Sequence, residues 1–143
     1  MKNDDSQLLN DIYQNCQMGI HTIPQLLKIT KNEPFKNALD IQLTEYQKIA
    51  GRAENMMKTR HEKPEDISGM ARLSSYLMTE MKTMKDSSVS HMAEMMIQGN
   101  TMGMTAIMRR MGEHPHADRN VTDLAEDLLA TEMRNIRDMK QFL

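Results

Sequence analysis

The chain has 143 residues, with 18 basic and 20 acidic side chains and a formal net charge of −2, a length that suits one domain (residues 1–143) with a real core. That balance excludes the basic stripe that nucleic acid or an anionic membrane surface calls for, so neither partner is expected. No apolar run reaches the roughly 18 residues of a membrane span, and the polar, acidic opening MKNDDSQ does not read as a signal peptide; a soluble, unexported, cytoplasmic protein is expected. The lone Cys16 excludes an intrachain disulfide and fits a reducing compartment. Aromatic and β-branched residues are scarce while Met, Leu, Ala, Lys, Glu and Gln abound, so strands are poorly supplied and the fold class is all-α.

The first helical pattern runs from about Asp5 to Lys31. Leu9, Ile12, Cys16, Gly19, Ile23, Leu26 and Thr30 alternate spacings of three and four, the seam of a bundle helix, with Leu8, Ile20 and Leu27 widening it. Asp4, Asp5 and Ser6 suit its amino end, and Pro24 inside the pattern predicts a bend. His21 falls opposite the seam. The second pattern opens near Pro34 and continues to about His61, with the seam Phe35, Leu39, Gln42, Tyr46, Ile49, Ala53, Met56 and Arg60, and Glu45 on its flank. The link between the two is so short that they should form an antiparallel hairpin. Gln42 in mid-seam needs an internal partner.

After the turn HEKPED, an amphipathic stripe of Ile67, Met70, Ala71, Ser74, Leu77, Met78, Met81 and Met84 predicts a helix from about Glu65 to Met84, whose length of about 30 Å could carry the chain back along the bundle or cover the apolar helix after it. The stretch Ser87 to Met111 is apolar nearly all round, which predicts burial nearly all round. What stays polar is one narrow stripe, Ser87, His91, Glu94, Gln98, Thr101, Thr105 and Arg109, which either meets water or turns inward. Gly99 and Gly103 on this helix are read as points of close helix contact. A loop, GEHPHAD, leads to the last helix, from Val121 to Leu143, opened by Asp118 or Asn120. Its seam is Val121, Leu124, Ala125, Leu128, Glu132, Asn135, Met139 and Phe142. Glu132 sits in mid-seam, unfavourable unless it is paired, protonated or bound to a metal.

Carboxylates and imidazoles from several helices meeting inside a bundle make dimetal sites, because hard oxygen ligands with imidazole suit iron or manganese. The groups available here are Glu45, His91, Glu94 and Glu132. The usual arrangement wants a Glu followed three residues later by His on two helices; here Glu45 is followed by Lys48 and Glu132 by Asn135, so any such site is degenerate. The 17 methionines invite a copper reading, since thioethers bind Cu(I) and Met78, Met81 and Met84 recur every three residues. Methionine as a flexible core filler in a chain poor in aromatics explains the same spacing, and is preferred. His114 and His116 read as turn and helix-end residues. No Gly-rich phosphate loop or nucleophile setting is present in the sequence.

The stretches SHMAEMMIQGNTMGM, TEYQKIAGRAENMM, EHPHAD and LLATEMRNIRDMKQFL together resemble a small group of bacterial ferritin-like proteins. The resemblance implies an antiparallel four-helix bundle, here with an additional amphipathic helix between helices two and three, in a superfamily that often binds two metal ions. It implies that Glu45 and Glu132 correspond to the Glu of the paired motifs and Glu94 to a bridging Glu, with iron or manganese as the metal. Two function classes follow. One is a ferritin-like protein with a degenerate site of Glu45, His91, Glu94 and Glu132. The other is a non-catalytic bundle that self-associates, as a homodimer, through surplus apolar helix surface.

Overall fold

The structure, a computed structural model, describes residues 4–65 and 68–143, with side chains described outside 68–73. Five helices follow one another: α1 (Asp4–Ile29), α2 (Glu33–Thr59), α3 (Ser68–Thr83), α4 (Val89–Glu113) and α5 (Arg119–Lys140), with no strand among the described residues. The boundaries have local causes. Asn32 caps α2 by accepting a hydrogen bond from the Phe35 amide at 2.9 Å, with Pro34 in the first turn, and Ser88 caps α4 by accepting from the His91 amide at 3.1 Å. Pro24 lies inside α1, which continues past it to Ile29.

The buried apolar residues come from α1, α2, α4 and α5. Leu9, Ile12, Cys16, Ile23 and Leu26 meet Phe35, Leu39, Ile49 and Ala53, closed by Met92, Met95, Ile107, Val121, Leu124 and Leu128. Each such side chain contributes about 1.5–3 kcal/mol by leaving water, which makes this the main stabilising term. Phe142 closes one end edge-on against Phe35, with ring centroids 5.2 Å apart.

Polar ties fix the directions of the helices. At the other end, Asp5 near the start of α1 accepts from Arg60 at the end of α2 (2.9 Å) and from the backbone amide of Asp118 at the start of α5 (2.7 Å). Asp11 pairs with Arg110, and Asp4 with His114, both near the end of α4. The start of α1 therefore meets the ends of α2 and α4 and the start of α5. So α1 and α5 run one way and α2 and α4 the other. Because α2 ends where α4 also ends, the chain must travel the bundle's length between them, and α3 makes that return on the outside, packed on α1 and α4. Asn10 fastens the start of this crossover, exchanging hydrogen bonds of 2.6 and 2.8 Å with the backbone of Glu65.

The expected seams of α1 and α5 are the buried faces, and that of α2 is buried from Phe35 to Ala53, after which Met57 rather than Met56 turns inward; Ile67, Met70 and Ala71 of the third stripe fall outside the described side chains. α4 departs from its expectation. It buries Met92, Ala93, Met95, Met96, Asn100, Gly103 and Ile107, but Glu94, Gln98, Thr101, Thr105 and Arg109 are exposed. The sparse polar stripe is the water-facing side of an ordinary three-sided helix. Among the described residues no helix is long and apolar enough to cross a membrane.

Candidate functional site

Glu132 is the one expected ligand that the fold buries, at 2% exposure. Its surroundings are polar but uncharged. Tyr46, from α2, donates its hydroxyl hydrogen to Asn100 Oδ1 of α4 at 2.9 Å and accepts from Asn135 Nδ2 of α5 at 3.2 Å. Burial pushes the Glu132 carboxyl up to about 8, against a downward pull from its contact with the Tyr46 hydroxyl. That pull operates only if the hydroxyl turns its single hydrogen away from Asn100. With the hydrogen committed to Asn100, Tyr46 meets Glu132 as an acceptor, and a neutral carboxylic acid is the partner that fits. The same burial raises the Tyr46 hydroxyl and the Cys16 thiol, with Glu132 adding to both, so neither is an activated nucleophile or base.

The local sequence explains why these groups can meet. Gly19 on α1 faces the Tyr46 ring, and a Cβ there would lie 2.5 Å from the ring carbons. Asn15 Nδ2 of α1 donates to the carbonyl of Gly103 on α4 at 3.0 Å, where a Cβ would sit equally close to the amide. The reading of Gly103 as a close-contact residue holds, and a Cβ at Gly99 would likewise lie 3.2 Å from Leu77 Cδ2 of α3. Beside Glu132 a chamber, lined also by Asn15, Tyr46, Met96 and Asn100, has about 20 Å³ open to the centre of a water molecule. Among the described residues Glu132 Oε2 and Asn100 Nδ2 have no hydrogen-bond partner, nor does either amide atom of Gln42, the seam residue expected to need one.

The other expected ligands lie elsewhere. Glu45 is half-buried and sits 3.6 Å from Lys48 and 3.9 Å from Arg134. Glu94 is exposed, and its carboxylate accepts from Gln98 one turn on, at 3.5 Å. His91 occupies the first turn of α4; Asn100, level with Tyr46, is nine residues further on, about 13 Å along the axis. Among the described residues no three His, Cys, Asp or Glu side chains stand close enough to hold one metal ion. Register is the cause. Turning the polar stripe of α4 outward carries Glu94 away from Glu132.

A second concave region lies outside the core, between α1 and α3. This cleft of about 370 Å³ is lined by Met18, His21, Thr22 and Gln25 of α1 and by Leu77, Met78, Met81 and Lys82 of α3. Met18 and His21 are three residues apart on one helix, Met78 and Met81 on the other, so each pair projects from one face. The core-filler account of methionine covers only part of the chain. Of the fifteen methionines with described side chains, Met57, Met92, Met95, Met96 and Met139 are buried and ten are half-buried or exposed. Sequence reasoning sets His21 aside because it lies opposite the seam; that same position is what places it in the outer cleft.

The molecule is thus an all-helical bundle with a crossover helix laid along one groove. No family model and no curated protein matches the sequence. Among solved structures it is similar to one described as a DUF305 fragment from Deinococcus radiodurans, with a TM-score of 0.78 and 17% identity over 98% of this chain and 95% of that one. At that identity the likeness is one of fold.

Proposed function

We propose that the protein is a soft-metal-binding helical bundle that holds a monovalent ion, Cu(I), in the cleft between α1 and α3. The observation that carries this reading is the donor set: the thioethers of Met18, Met78 and Met81 and the imidazole of His21 line one open cleft. Thioethers select soft Cu(I) over the harder ions that carboxylates prefer, and imidazole is compatible with it. His21 and Met78 are exposed, so an ion can arrive without unfolding the core. The carboxylate centre expected to hold iron or manganese has no comparable support, since Glu94 is exposed and no three His, Cys, Asp or Glu side chains among the described residues are grouped to hold an ion. The ferritin-like character we infer is one of architecture, supported by the two helix pairs of opposite direction joined by one long crossover.

Titration of the purified, untagged protein with Cu(I) against a competing chelator tests the reading. One equivalent should bind, and Met78→Leu with Met81→Leu, which keeps volume and removes two thioethers, should weaken it by about a hundredfold or more. Weak, non-stoichiometric binding that the double variant leaves unchanged refutes it. The exposure of Met78 (55%) and Met108 (49%) supports a second reading, a homodimer formed through apolar helix surface. Sedimentation at low concentration separates the two, because a monomer that binds copper leaves only the first.

A further inference from the structure

The chamber beside Glu132 and the outer cleft share three wall residues, Met18, Thr22 and Leu77. We propose that α3 is a lid whose Leu77 closes a portal between α1 and α4, and that the chamber beneath holds one water molecule bridging Glu132 Oε2 and Asn100 Nδ2. Three observations converge on this.

The first is the chemistry of the walls. Glu132 and Asn100 are 2% and 4% exposed, and among the described residues each has an atom with no hydrogen-bond partner. One is a carboxyl oxygen that can accept; the other is an amide nitrogen that can only donate. A guest must therefore both accept and donate, as water does, whereas a metal cation would face the amide hydrogens. The second is size. About 20 Å³ open to the centre of a water molecule exceeds the roughly 10–15 Å³ that one water needs, and although much of the wall is apolar, Asn15, Tyr46, Asn100 and Glu132 give it polar groups that cavities which stay dry lack.

The third is the construction of the portal. On α1 the Tyr46 ring takes the side-chain space at Gly19, but on α4 Gly99 lines the chamber and offers no side chain to close the gap. Leu77 closes it instead, packed against Gly99 and flanked by Met18, Met102 and Ala106. Among the described side chains of α3, Leu77 alone is buried; Ser74 to Thr83 are otherwise half-buried or exposed. Tyr76 adds one hydrogen bond, to Gln98 of α4. Over its described side chains, Ser74 to Thr83, α3 is anchored by Leu77 and the half-buried Met81 rather than by a continuous buried stripe, so this part opens at lower free energy than the helices it covers.

Metal-free protein suffices for the test, so its outcome is separate from that of the copper reading. A high-resolution crystal structure of the full chain should show one water within hydrogen-bonding distance of both Glu132 and Asn100; a dry chamber overturns the proposal. Oxygen-17 magnetic relaxation dispersion should detect one long-lived internal water in the wild type that is absent from Glu132→Leu. Its residence time should shorten about tenfold or more in Leu77→Ala, or in the milder Leu77→Val if the first variant does not fold. An unchanged residence time in a folded Leu77 variant overturns the lid.

Discussion

Replacing Glu132 with glutamine should flatten the dependence of stability on pH between about pH 5 and 8. The carboxyl rises from an ordinary value of 4.5 to about 8 in the folded protein. Below pH 4.5 the acid is protonated whether the chain is folded or not, and its titration costs nothing. As pH rises from there, the unfolded chain gives up its proton while the folded chain keeps it. Stability therefore falls by about 1.4 kcal/mol per unit until the folded acid also ionises near 8. At pH 7 the loss is about 3 kcal/mol, a large fraction of the 5–15 kcal/mol typical of a domain. For a chain of this length that amounts to about 10 °C in Tm. The substituted amide would be neutral throughout and nearly isosteric with the protonated acid. Urea unfolding of both proteins at pH 5, 6, 7 and 8 is the assay, with the difference between them cancelling other titrations. The wild type should lose stability relative to Glu132→Gln as pH rises. Parallel curves, or a wild type that gains on the variant, would refute a buried neutral acid.

Two glycines give opposite expectations. Gly19→Ala should destabilise by about 1–3 kcal/mol, since its Cβ would meet the Tyr46 ring at 2.5 Å. Gly51→Ala, on the exposed side of α2 with nothing within 4 Å of the new Cβ, should stabilise by up to about 1 kcal/mol; chemical denaturation reads both. At the end of the bundle where α1 begins, Asp5→Ala should cost about 1.5–3 kcal/mol by removing charge-assisted hydrogen bonds to Arg60 and the Asp118 amide. Burial alone would raise the Asp5 carboxyl, but the bonds from Asp118 and Arg60 outweigh it and hold the group below its ordinary range. Its contribution is accordingly full at neutral pH and lost as pH falls through the acid range. Thermal unfolding of this variant and the wild type should therefore converge as pH falls below the ordinary carboxylate range.

The helices are legible because the hydrophobic period is strong: the α5 seam from Val121 to Met139 is buried as its spacing requires, with Glu132 in its middle. The route of α3 is legible as one option, and the ties between the start of α1 and the ends of α2 and α4 select it. The expected ligands are not grouped as one centre among the described residues, and the sequence does not foretell this because apolar residues on α4 are so numerous that periodicity cannot say which side turns inward. Asn100 escapes the sequence reading although Met92, Met96, Asn100, Gly103 and Ile107 continue one buried line at spacings of three and four. That line is the available signal. The methionines illustrate the converse problem. Thioethers satisfy a core and a soft-metal site equally well, so only the fold separates Met92 and Met95 from Met78 and Met81.

Copper K-edge X-ray absorption of the Cu(I)-loaded protein bears most directly on the account. Scattering from about three sulfurs and one imidazole nitrogen is the predicted shell, with the imidazole contribution lost in His21→Ala and the sulfur count reduced in the Met78→Leu, Met81→Leu variant. A shell of oxygen and nitrogen only, or one that both variants leave intact, would contradict a site in the cleft between α1 and α3.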